Sequence, residues 1–465
     1  MPFNSSLFVF LFAPLVISFG ACLPVRLATT FLLFASVVFY GWGEPKFVFV
    51  VFLSASLDYV LAWAIHRAGH ERASRWCVAV GVVLNLGLLV YCKYLGWFLE
   101  NLGALLADLK VPFAGMLLPL GISFVVFEKI SYLVDVYRRT TPPARSFRDY
   151  LFFVFFFPKM LAGPIIKYHE IREQIENRKV VLEDVELGIL RFLIGLAKKV
   201  LVADTMAAIV DKIYSANPTE LGNANAWFGA LCFAIQIYFD FSGYSDMAIG
   251  LARTFGFRLR ENFNQPYLAV GFTDFWQRWH ISLSTWIRDY LYVPIGGSRT
   301  TSSRMYFNLW VCFLASGLWH GANWTFIVWG AYHGIFVSAD HLWLRRVWPR
   351  IPVWIGVAIT FFLVTIGWVV FRATSLSQAF AMVRLLFEPA ANPGINLQLD
   401  DYAIFFAVVG VVVSFTPLPL IRRKLRSMLE GDALLLPEML VAAISVLSFG
   451  RLFASTFHPF IYFRF

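Results

Sequence analysis

The sequence predicts an all-α, polytopic integral membrane protein, with about 11 transmembrane helices by bilayer span length and further re-entrant or interfacial helices. Three observations carry this. Apolar residues make up 59% of the 465 and charged residues only 15%, against nearer a quarter charged in soluble chains. Apolar runs at 47–65, 77–90 and 353–371 approach the roughly 20 residues that a bilayer crossing takes. Basic residues gather in short loops between such runs.

Taken in order, the first apolar run is 7–20. No Lys or Arg precedes it, whereas a cleaved signal peptide has a positive n-region, so it reads as a retained helix with its N-terminus outside. Spans at 27–40 and 47–65 lead to a loop with Arg67, Arg72 and Arg75, which the positive-inside rule places in the cytoplasm. Spans near 77–98 and 116–136 return the chain there at Arg138, Arg139, Arg145 and Arg148. Arg345, Arg346 and Arg350 form a third basic cluster, Arg422, Arg423, Lys424 and Arg426 a fourth, and a last span at about 437–456 ends outside. The formal charge of +10 is accounted for by these loops beside an anionic inner leaflet, so no nucleic-acid partner is expected. The five cysteines are scattered and odd in number, which fits neither a disulfide framework nor a zinc site.

Texture divides the chain into three: scaffold helices over 1–149, a working part over 150–340, and C-terminal helices over 341–465. In the middle part Gly, Pro and charge interrupt the apolar runs, as at Phe157-Pro158, Gly163-Pro164, Lys198-Lys199, Asp240, Gly243, Asp246 and Asn264-Gln265-Pro266. Irregular and polar backbone at membrane depth survives only where protein or a watery cavity surrounds it. Asp240 and Asp246 each need a partner, and at six positions apart they do not share a helix face.

Residues 272–304 are the densest. They are too polar for a lipid-facing helix and too aromatic for a solvated loop, so a helix or helical hairpin against the bundle is expected, with Thr273 as N-cap. Arg278, Arg288, Arg299 and Arg304 are read first as interfacial anchors and second as contacts for a phosphate-bearing donor.

Two histidines share an aromatic setting, Arg278-Trp279-His280 and Leu318-Trp319-His320. His320 has Ser316-Gly317 before it and Gly321-Ala322-Asn323 after, small residues that admit close approach. A charged group at membrane depth costs roughly 2.5–3.5 kcal/mol on insertion scales; a neutral imidazole costs less and still exchanges a proton near neutral pH. The pair therefore points to acid–base chemistry. His333 is read as a core histidine, and His66, His70, His169, His341 and His458 as interfacial or terminal. There is no Gly-x-Ser-x-Gly elbow, no Ser-x-x-Lys, and no metal-ligand cluster at helical spacing.

The run Tyr238-Phe239-Asp240-Phe241-Ser242-Gly243-Tyr244-Ser245-Asp246, then Glu261-Asn262-Phe263, then 275–290, then Trp319-His320-Gly321-Ala322-Asn323 resembles the membrane-bound O-acyltransferases, most closely their alginate O-acetyltransferase branch. The resemblance extends from Phe3-Asn4-Ser5-Ser6-Leu7-Phe8 to Pro459-Phe460-Ile461-Tyr462-Phe463-Arg464-Phe465. It implies an acyl-transfer tunnel through a bacterial inner membrane, with no bound cofactor. The donor would be acetyl-CoA or another acetyl thioester from the cytoplasm, and the acceptor a hydroxyl outside, on an exopolysaccharide such as alginate, on cellulose or on peptidoglycan. On this resemblance His320 is the general base and His280 orients the acceptor or steadies the oxyanion. Asn323, Arg278, Arg288, Trp279, Trp319 and Asp240 are the expected substrate-side residues. The expected partners are membrane lipids and an extracytoplasmic acetyltransferase or polymer-binding protein. A transporter or flippase of lipid-linked sugar is the rival class; many transporters repeat their broken helices in two halves, and here the broken features occupy one stretch.

Overall fold

The computed structural model describes residues 1–105, 119–388, 394–417, 435–454 and 459–461. Among these the fold is all-α, with no strand. The fourth basic cluster at 422–426, together with Thr456 and His458, lies outside the described residues.

Among the described residues three helices are long and apolar enough to cross a membrane: Pro45–Arg67, Glu71–Gly103 and Val353–Arg372. Phe8–Gly20, Val25–Gly41, Asp401–Phe415 and Met439–Ala454 are apolar but shorter. Large apolar side chains point outward from them, Phe49 at 76% and Trp354 at 72% exposure, as a surface solvated by lipid requires. The described residues fall into two compact units, Met1–Phe192 with Met247–Arg260, and Leu193–Asp246 with Glu261–Phe465.

In the first unit, the helix Ile122–Tyr137 packs on Pro45–Arg67 and Glu71–Leu89 and is buried almost all round. It therefore reads as apolar while carrying adjacent charges that the sequence left unexplained. Lys129 pairs with Asp58 at 3.1 Å and donates to Ser54 at 2.7 Å, and Asn85 donates to Asp58 at 2.9 Å. Glu128 pairs with Lys159 and accepts from the Ile166 amide at 3.2 Å. Each buried charge meets its opposite, which is the condition for keeping it there.

In the second unit, Ser302–His320 and Trp324–Ala339 form a helical hairpin turning at Gly321-Ala322-Asn323. Glycines set how close the two helices lie. A Cβ on Gly317 would come 2.3 Å from the Phe326 carbonyl oxygen, and one on Gly330 would come 2.4 Å from that of Phe313. The small residues beside His320 thus admit the next helix.

Candidate active site

The stretch 272–304, expected as a helix or helical hairpin, opens with two short helices, Phe272–Arg278 and Ile281–Ile287, broken at His280. The start differs from expectation. The helix begins at Phe272, and its cap comes from sequence far away, because Asp340 accepts from the Thr273 amide at 2.7 Å and from the Trp348 indole at 3.0 Å. Gly271 precedes it at φ 88°, where a side chain would run into Trp348 and Asp340. Thr273 is accordingly inside the first turn rather than its cap.

His280 adopts a left-handed backbone, φ 44° and ψ 54°, a conformation that an L-residue holds only when its surroundings over-determine it. Asn262 supplies that constraint. Its carbonyl oxygen accepts from the Ile281 amide at 3.0 Å, and its side-chain oxygen accepts from the Ser282 amide at 3.1 Å and hydroxyl at 2.9 Å. Nδ1 of His280 faces the same oxygen at 3.2 Å. A backbone N–H only donates, so this carboxamide atom is the oxygen, and the Nδ1 facing it carries the proton. A neutral His280 therefore keeps its lone pair on Nε2.

The two histidines both contact one indole. Trp319 lies 5.9 Å from His280 and 5.0 Å from His320, ring centre to ring centre. His280 is fully buried and His320 is 3% exposed. Phe241 meets His280 edge-on at 4.6 Å, and Trp329 and Phe371 meet His320 edge-on at 5.1 and 5.3 Å. His333 accepts from the Trp276 indole at 3.2 Å, in keeping with a core histidine.

The other expected residues have visible work nearby. Asn323 caps the second hairpin helix by accepting from the Thr325 amide at 3.1 Å, and donates to the Thr374 carbonyl at 3.0 Å. Trp279 turns into an aromatic core with Trp368 at 4.8 Å and Phe263 at 5.1 Å. Arg278 pairs with Asp274 at 2.7 Å, and Arg288 with Asp289 at 2.8 Å. Arg299 and Arg304 are exposed. Asp240 pairs with Lys199 at 2.7 Å and accepts from the Ile461 amide at 2.6 Å, while Asp246 pairs with Lys198 at 2.6 Å. The two aspartates take different lysines, as their spacing requires. Phe460 then lies 5.7 Å from Phe241 and 4.8 Å from Tyr244, so the 459–461 segment backs the ring that touches His280.

Asn262 stands in the sequence inside a motif with no work assigned to it, Trp329 reads as plain helix packing in the aromatic and small block 329–334, and Phe371 has no reading of its own. Asn262 lies in the polar stretch Glu261-Asn262-Phe263-Asn264-Gln265, where nothing local sets it apart from its neighbours; the other two look like any buried ring.

The chain is similar to known proteins. Residues 138–377 match the model of the membrane-bound O-acyltransferase family. The chain is 38% identical to a probable alginate O-acetylase of Azotobacter vinelandii over 100% of both chains. It is 42% identical to one of Pseudomonas aeruginosa, covering 83% of this chain and 75% of that one. A peptidoglycan O-acetyltransferase of Helicobacter pylori is 35% identical, over 82% and 79%. The matched region takes in His280 and His320, and this chain belongs to the membrane-bound O-acyltransferase family and is an O-acyltransferase.

Proposed function

We propose that this protein O-acetylates alginate, with His320 as general base and His280 orienting the acceptor hydroxyl. The observation that carries the reading is the pair of buried imidazoles that both contact the Trp319 ring. The acceptor is proposed from the two relatives named as alginate O-acetylases.

His320 takes the hydroxyl proton as the oxygen attacks the thioester carbonyl carbon. The C=O electron pair moves onto oxygen, then returns as the C–S bond breaks, and the leaving thiolate takes the proton from the imidazolium. A positioned imidazole in this role contributes typically 10²- to 10⁴-fold. A lone pair on His280 Nε2 accepts from a hydroxyl but gives nothing to an oxyanion, which selects the orienting role for that ring. The segment 150–340 is proposed as the working part.

We place the protein in the inner membrane with its N-terminus outside, a cytoplasmic acetyl thioester such as acetyl-CoA as donor, and handover through an extracytoplasmic partner protein. The count of about 11 spans belongs to the same proposal. Vesicles loaded with labelled acetyl-CoA, with alginate and the partner fraction outside, test it. Label on the outer polymer with matching thiol inside, lost in His320→Ala, supports acyl transfer. Thioester-independent movement of a lipid-linked sugar overturns it in favour of a transporter.

A further inference from the structure

Acyl transfer concentrates negative charge on the carbonyl oxygen, and meeting that charge with preorganised donors is usually the largest single contribution to the rate. Two polar groups near the base are unsuited or already engaged. A neutral His280 presents a lone pair at Nε2, and Asn323 holds a helix start and the Thr374 carbonyl.

Trp329 answers the description. It is fully buried, and its ring meets His320 edge-on at 5.1 Å with the planes at 90°. The rings about it are His333 at 4.7 Å, Phe371 at 5.1 Å, and Trp276 and Trp368 each at 5.8 Å. His333 Nδ1 already accepts from Trp276. Among the described residues the Trp329 Nε1–H has no acceptor. An indole N–H can only donate, and leaving such a donor buried and unmet is unfavourable. A buried orphan group of this kind calls for a role, and a donor beside the proposed base, with nothing to bond in the resting protein, is available to an oxygen that becomes anionic only during reaction.

We propose that the Trp329 indole N–H is the oxyanion donor, hydrogen-bonding the former carbonyl oxygen of the acetyl thioester in the tetrahedral intermediate. The proposal rests on the acyl-transfer reading above. The hairpin explains how it is held: Gly317 and Gly330 bring the helix bearing Trp329 against the helix that ends at His320, so base and donor come from facing helices in close contact.

The test uses the full-length protein in vesicles with acetyl-CoA as donor, following thiol release and acetyl on the polymer. Two replacements remove the N–H: Trp329→Phe, and exchange of Trp329 for benzothienylalanine, which keeps the bicyclic shape with sulfur in place of nitrogen. Both should lower kcat roughly 10²- to 10³-fold, the effect of losing one oxyanion donor. The KM for acetyl-CoA should stay within about threefold, since the interaction belongs to the transition state. A benzothienylalanine protein that keeps a third or more of wild-type kcat overturns the proposal, as does a rise in KM with kcat held. Those outcomes leave the acyl-transfer reading standing if His320→Ala is still inactive. A wild-type protein that releases no thiol from acetyl-CoA overturns both.

Discussion

The side-chain oxygen of Asn262 sits 3.2 Å from His280 Nδ1 and 3.1 Å from the Ser282 amide nitrogen. One carboxamide oxygen thereby fixes the orientation of a buried imidazole, its tautomer, and the first turn of the helix that follows it.

Replacing Asn262 should for that reason damage catalysis more than folding. Asn262→Ala leaves the Ser282 amide and His280 without their acceptor, a loss of about 1–3 kcal/mol per orphaned buried group. Thermal unfolding in detergent should fall by several degrees, while acetyl transfer falls at least tenfold. Asn262→Asp, which keeps an oxygen there, should recover more activity than Asn262→Ala; equal activities would argue against a tautomer-setting role.

At His280 the backbone discriminates between substitutions that remove the imidazole alike. The left-handed region is tolerated by Asn far better than by β-branched residues, and strain of this kind amounts to about 1–3 kcal/mol. His280→Asn should purify with near-normal melting, and His280→Val should melt lower. Both should transfer acetyl poorly, measured as label on the outer polymer.

His320→Ala should abolish transfer while the protein inserts and purifies normally. Near-normal acetylation by a well-expressed His320→Ala protein would remove it from the role of base.

Lys199 holds Asp240 at 2.7 Å and Asp204 at 2.7 Å, all three largely buried. Lys199→Met leaves two carboxylates facing each other without their cation, and breaking a buried pair in this way costs about 3–5 kcal/mol. Yield and melting temperature should both drop, and adding Asp240→Asn should restore part of the loss. A Lys199→Met protein as stable as wild type would show that the cluster is solvated.

Orientation has its own check. A cysteine at Thr456 should react with an impermeant reagent applied outside, and one at Thr140 should not; the reverse pattern inverts the membrane placement.

Much of this architecture is legible in the chain because lipid solvation writes long apolar runs into it. The helices Val25–Gly41 and Pro45–Arg67 fall where runs 27–40 and 47–65 place them. Those two histidines were legible because ionisable residues are rare at such depth. What escaped depends on contacts between residues distant in sequence. Asp340 caps a helix 67 residues before it, and Asn262 steers a ring 18 residues after it; no local pattern encodes either. Helix Ile122–Tyr137 hides its charges for a similar reason, since their partners, Asp58 and Lys159, lie on other helices.

The bond from the Ile461 amide to Asp240 joins residues 221 positions apart. Such a contact cannot form until the intervening chain has been made and its ends brought together. Phe460, which shores up the ring against His280, is placed by that same closure. The helical frame can thus be threaded into lipid well before the reaction centre acquires its last wall. A chain released early would retain its spans and lack a shaped site, so that insertion and catalytic competence mature on separate clocks.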